Sequence, residues 1–315
     1  MKTKNAFNIL LAVSAIAIFS FSACKKDVLE TEQGIATGPY ASLADFYNHN
    51  GAQSQTFTID PQQFNAVTGV LGTSIIIPAN SIFDNNGLPP SGNVTVTLKE
   101  IYDIKDMLLS HIPTTSNGSI LQSGGMFYLD FAAGNIHYNS NSLINVSMPS
   151  DSTFSGMNVF FGLEDTTGMN WVMADSSSNF IIPDSSGTIY NLWLDSLGYG
   201  WVNCDRFYNT FLTTNVSITP TVTSERNETV DIAVYLLLPS INSCMNVNNS
   251  VGPQTVMANN IPIGMQAAAA AVGVGRVTKK AYFGLLNFTV AVSQPVTFSL
   301  TQMSETEISN ALQNL

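Results

Sequence analysis

From Gln55 onward the chain is a series of short apolar stretches with period-two alternation. The clearest is Val94, Val96 and Leu98 facing one way, with Thr95, Thr97 and Lys99 facing the other. That period puts one face on a core and one in solvent, so it predicts half-buried strands. Further strands are predicted at 56–59, 73–77, 126–131, 144–148, 158–163, 188–194, 207–218, 229–238, 288–292 and 296–300. Turn-forming runs separate them, such as Asp84-Asn85-Asn86-Gly87, Asp165-Thr166-Thr167-Gly168 and Asp184-Ser185-Ser186-Gly187. Many short strands between such turns predict an all-β chain of two or three β-sandwich modules of Ig-like type.

Three segments break the pattern. Tyr102–Leu109 reads as a short helix between strands. Gln266–Val272 contains five consecutive alanines, helical by propensity. Glycines 264, 273 and 275 flank it, and we read it as a small-residue strand where two sheets approach closely. At the C-terminus, Ser304 and Glu307 have capping-box spacing. Ile308, Ala311, Leu312 and Leu315 then share one face, predicting a closing helix over 305–315.

The N-terminus has a different pattern. Lys2 and Lys4 precede an apolar stretch from Ala6 to Phe21, and small residues lead into Cys24. This is the layout of a lipoprotein signal, residues 1–23, with lipid on Cys24. No later apolar run approaches the ~20 residues of a membrane span, so attachment is expected through lipid alone. Residues 24–55 are polar with mixed charge and are expected to form a tether, with a short helical turn near 43–47. Turn-rich stretches suggest a β-sandwich domain over 56–150, a β-rich middle region over 151–225, and a C-terminal β domain over 226–315.

The formal charge of −11 falls to about −13 when Lys2 and Lys4 leave with the signal. With no basic patch, nucleic acid is excluded as a partner. Hydrophobic residues make up 45% and charged residues 10%, which excludes a globally disordered chain. Cys204 and Cys244 remain as a candidate disulfide. It would close a loop of about 40 residues, worth roughly 3–4 kcal/mol. The alternative is two separate buried thiols.

Residues 57–131 carry Phe64, Gly69, Gly72-Thr73, Ile77-Pro78-Ala79-Asn80-Ser81, Lys99-Glu100-Ile101-Tyr102, Asp106-Met107-Leu108-Leu109 and Ser123-Gly124-Gly125. This stretch resembles a group of uncharacterised Bacteroidetes-type lipoproteins with β-sandwich domains. More distantly it is similar to the β-sandwich domain of ankyrins and netrin receptors, where the corresponding motif is Ile-Pro-Pro-Gly-Ala. Leu197–Phe207 looks like a second recurring element of the lipoprotein group. The resemblance implies an envelope β-sandwich protein and transfers no catalytic residue. Lys25 directly after the cysteine points to the outer membrane, on its periplasmic or its cell-surface face.

The chemistry-bearing residues are few. His49, His111 and His137 have no metal-ligand spacing, so no metal and no cofactor is expected. Asp84-Asn85-Asn86-Gly87 opens like a calcium loop but lacks the further ligands, and reads as a turn. Glu100, Asp103 and Asp106 cluster, as do Asp195 and Asp205. Asp151-Ser152-Thr153, Asp165-Thr166-Thr167 and Asp195-Ser196-Leu197 resemble O-glycosylation acceptors. The densest aromatic group runs from Tyr190 to Tyr208. From it Trp193, Tyr199, Trp201, Asp205 and Arg206 form the candidate binding surface, since sugar platforms combine aromatic faces with polar flanks. The same aromatics also suit a sandwich core. The leading expectation is a non-enzymatic, lipid-anchored outer-membrane protein acting as a binding or envelope-structural module, with a glycan or an envelope protein as partner. The alternatives are a secreted glycan-processing enzyme or glycan-binding protein, and an accessory subunit of an outer-membrane transport or secretion complex.

Overall fold

The computed structural model describes residues 37–315 except 151–152, 166–167, 196–199, 224–227 and 314. The signal, Cys24, Tyr199 and most of the three acceptor-like Asp-Ser/Thr sites therefore lie outside the described residues. From Thr37 to Leu315 the chain is one compact unit.

In chain order, α1 (Leu43–Asn50) is followed by β1 (Gln55–Ile59), β2 (Asn65–Thr68), β3 (Ser74–Ile77), β4 (Ile82–Phe83) and β5 (Val94–Ile101). Next come α2 (Ile104–Leu109), β6 (Thr115–Ser116), β7 (Ser119–Ala133), β8 (Ile136–Ser140) and β9 (Ile144–Pro149). β10 (Asn158–Asp165), β11 (Gly168–Met173), β12 (Phe180–Pro183), β13 (Ile189–Leu194) and β14 (Gly200–Phe207) follow. The rest is β15 (Thr213–Val222), β16 (Val230–Leu238), β17 (Ser243–Asn246), β18 (Ser250–Gly252), β19 (Thr255–Pro262), β20 (Gln266–Gly275), β21 (Ala281–Thr289), β22 (Pro295–Gln302) and α3 (Glu305–Leu312).

Among the described residues these strands make three sheets. The main path of a nine-stranded sheet runs β1-β5-β7-β14-β10-β11, and a five-stranded sheet runs β12-β13-β9-β3-β2. An eight-stranded sheet runs β17-β16-β20-β21-β22-β15-β19-β18, with β15 and β22 parallel. The fold is all-β with a closing helix, as the alternation predicts.

Three cores separate the layers. The nine- and five-stranded sheets pack face to face through Val96, Leu98, Phe127 and Leu129 against Ile75, Val146, Tyr190 and Leu192. The opposite face of the nine-stranded sheet, with Leu121, Met126, Phe160 and Trp171, packs on the three helices and on Tyr235, Leu237, Ala268, Ala270 and Val272. The eight-stranded sheet folds over a third core that includes Val216, Ile218, Leu236, Ala269, Ala271 and Leu300. β20 is thus buried on both faces: Ala268 and Ala270 serve one core, Ala267, Ala269 and Ala271 the other. Larger side chains would hold its neighbours apart, so packing overrides the helical propensity of the alanine run.

The sequence expectations need four corrections. Residues 37–54 are not tether: Tyr40 and Phe46 are buried, and α1 packs into the body with Ser42 as its N-cap. The cut near 150 crosses both sandwich sheets, since β9 pairs with β13 and β7 with β14. The cut near 225 separates β15 from the sheet it belongs to. The strands expected over 207–218 and 288–292 are interrupted at 208–212 and end at Thr289, because loops occupy one end of the eight-stranded sheet.

The helices follow their caps. Asp103 accepts from the Asp106 N–H at the start of α2. The Ser304–Glu307 capping box starts α3 and turns Ile308 and Leu312 inward.

Candidate functional site

The structure divides the expected aromatic patch. Trp193 lies on β13 in the five-stranded sheet, and Trp201 on β14 in the nine-stranded sheet. Val202 and Cys204 of β14 point into the core between the sheets, so Trp201 faces the other way, against the helix-lined core. There it meets Tyr128 edge to face at 5.5 Å. Arg206 is tied down: Nε donates to Gln122 Oε1 at 2.8 Å, Nη1 donates to the Ser155 carbonyl at 2.8 Å, and its guanidinium lies 5.5 Å from the Phe154 ring centre.

Asp205 is sealed from solvent at 0% exposure. Its position follows from a bulge. Between the pairs Asn203–Met126 and Asp205–Ser123, one residue of β14, Cys204, faces two of β7, Gly124 and Gly125. Gly125 at the bulge has φ +109°, and a Cβ there would meet the Tyr102 ring at 2.5 Å. Asn203 Nδ2 donates to Asp205 Oδ2 at 2.6 Å, while Oδ1 has no hydrogen-bond partner. Burial pushes this carboxyl well above the carboxylate range, against the lowering effect of Ser123, Asn203 and the Gly124 N–H, and so favours its protonated form. A group out of contact with solvent cannot serve a two-carboxylate hydrolase beside Trp193.

Of the two alternatives for the cysteines, the structure has the second. Cys204 and Cys244 are separate buried thiols in different cores, which is why no bond joins them. Burial raises both thiols far above their ordinary range.

The histidines also stay apart. His49 sits 3.3 Å from Asp45 on α1, His137 2.8 Å from Asp130, and His111 stacks on Tyr47 and bonds Tyr235. Among the described residues no cluster of three His, Cys, Asp or Glu side chains could hold a metal. The Asp84 loop is a turn: Oδ1 accepts from the Asn86 and Leu88 N–H groups, and the Leu88 bond leads in lowering its carboxyl.

A cleft of about 640 Å³ is lined by Tyr102, Asp103, Asp106, Ser123, Phe154 and Asn242 among others. Burial, followed by the Asp103 charge, raises the Asp106 carboxyl. Asp103 is already used as the α2 cap, and neither Trp193 nor Trp201 lines this cleft.

The most organised exposed face is the outer side of the five-stranded sheet. Register aligns two cross-strand rows. One is Thr68, Ser74, Ser147, Asn191 and Ile182; the other is Ala66, Ile76, Asn145, Trp193 and Phe180. Neighbouring strands lie about 4.8 Å apart, so each row spans roughly 19 Å. Trp193 and Phe180 are cross-strand neighbours, stacked at 22° with ring centres 6.4 Å apart. Ser147 Oγ donates to Asn191 Oδ1 at 2.8 Å. Neither row has a charged residue, in a chain with 22 acidic ones. The outward residues of 144–148 and 188–194 were readable from alternation, but joining them to Phe180 and Ser74 required the strand order.

No protein-family model matches the chain, and no curated protein matches it. Among the described residues no helix is long and apolar enough to cross a membrane.

Proposed function

We propose that the chain is a non-enzymatic binding module, held at the outer membrane by lipid on Cys24, whose ligand is a neutral glycan. The observation that carries the ligand assignment is the pair of uncharged rows on the five-stranded sheet. A sugar chain presents C–H faces alongside hydroxyls. The Trp193–Phe180 pair offers flat apolar surface to the former. Asn191, Ser147 and Asn145 offer donors and acceptors to the latter. An anionic polymer would meet an acidic protein with no basic residue on this face. The outer-membrane address rests on the sequence of the first 25 residues.

Affinity electrophoresis of the chain from Lys25 through neutral and acidic polysaccharides tests the ligand. Retardation by at least one neutral polysaccharide is expected. Trp193→Ala should cut that affinity at least tenfold, the scale of one large aromatic contact. Retardation by acidic polymers alone, or a Trp193→Ala protein that binds unchanged, would overturn the assignment. For the address, metabolic labelling with a radioactive fatty acid in the host should mark the outer-membrane fraction's parent protein and leave Cys24→Ser unlabelled.

A further inference from the structure

Three loops meet at one end of the eight-stranded sheet. The Ile263 N–H donates to the Leu212 carbonyl at 3.0 Å, Gly264 N–H to Val290 at 2.8 Å, and Ser293 N–H to Thr214 Oγ1 at 3.2 Å. The union presents four large apolar side chains: Phe211 at 106% relative exposure, Leu212 at 71%, Val292 at 69% and Ile263 at 38%. Phe211 is as open as in an extended peptide, so the tip projects rather than forming a groove. The surrounding sequence is uncharged: 207–224, 232–275 and 281–304 contain no Asp, Glu, Lys or Arg. Elsewhere on this sheet exposed apolar residues stand singly, as with Val251 and Leu286, and the outward residues of β22 are polar: Thr297, Ser299 and Thr301. The tip gathers four.

We infer that this tip inserts into the interfacial region of a zwitterionic lipid bilayer. Its shape and area favour that occupant over a second copy. The four side chains offer on the order of 400 Å², about half of what each partner buries in a standard stable complex. A projecting apolar tip needs no complementary pocket in a fluid acyl boundary. Charge points the same way: with no Lys or Arg on the three loops, an anionic surface gains nothing over a zwitterionic one and repels the acidic body. The tip adjoins Gln266, where β20 begins. Gly38 bonds to Thr278, just past the other end of the same strand. The hold is therefore independent of the lipid expected on Cys24, and of the glycan face.

The test is flotation with phosphatidylcholine vesicles of the chain from Lys25, which keeps all three cores. The protein should rise with the vesicles, equally in low and high salt, and adding anionic lipid should not improve its recovery. Phe211→Ser with Val292→Ser, both at exposed positions, should lower the partition coefficient by roughly tenfold or more per side chain. Trp193→Ala should float as the parent does, which separates this result from the glycan assignment. Four results would each overturn the inference: a protein that stays at the bottom, a double variant that floats equally, binding confined to anionic vesicles at low salt, or a concentration-dependent dimer that the same double variant abolishes.

Discussion

Replacing Asp205 by Asn should stabilise the protein at neutral pH and flatten its pH dependence. Asp205 is a carboxyl at 0% exposure; Asn203 donates to Oδ2, and Ser123 and the Gly124 N–H also act against the effect of burial. Its folded-state pKa is raised, chiefly by burial. In the unfolded chain an Asp titrates near 3.9. Below that value both states hold the proton and the residue contributes no pH dependence. Above it the unfolded chain releases the proton while the native protein retains it, so stability falls as pH rises toward the folded-state pKa. The slope can reach about 1.4 kcal/mol per pH unit in the interval between the unfolded and folded pKa values. Asn fills the same volume, accepts from Asn203 and never ionises. Urea unfolding of both proteins at pH 5, 6 and 7, analysed at equal m, measures the difference. The midpoints should diverge with pH, the variant being the more stable at pH 7. Every other titrating group is common to both proteins, so midpoints that stay parallel would refute the buried neutral acid.

Glu100 is the second target. Its buried carboxylate accepts from Thr73 N at 2.8 Å, Thr73 Oγ1 at 2.5 Å, Leu71 N at 3.0 Å and Gln55 Nε2 at 2.7 Å. It fastens the β2–β3 connection, so Glu100→Ala should cost about 3 kcal/mol or more in urea unfolding, by orphaning the buried Thr73 donors. It should also weaken glycan affinity, since Thr68 and Ser74 flank that connection. Thiol titration of the chain from Lys25 should find Cys204 and Cys244 inert in the native protein and two reactive groups in denaturant, because burial suppresses both thiolates. A native mass two hydrogens short would mean that a bridge forms.

The alternation of β5, β9 and β13, the cap of α3 and the turn aspartates are local signals, and the sequence carried them because each depends on neighbours a few residues away. The alanine run was legible as a strand from its flanking glycines, although its burial between two cores was not. Strands without a clear alternation of their own escaped notice, the short β2, β4, β6 and β12 and also the eight-residue β14 and β19, which are held by their partners. The candidate site shows the same division. Trp193 stood out as an aromatic, but adjacency along the chain wrongly joined it to Trp201 and Asp205. Successive strands can enter different sheets, and successive residues of one strand face opposite ways.

The sequence by itself determined an all-β chain, its closing helix and its acidic balance. Tertiary structure alone decided which side chains meet. It drew Phe180, Trp193, Asn145 and Ser74 from distant segments onto one face, gathered Phe211, Ile263 and Val292 into one tip, and put the two cysteines in separate cores. Strand order and register are set by long-range pairing, and no local pattern encodes which distant partner a strand will take.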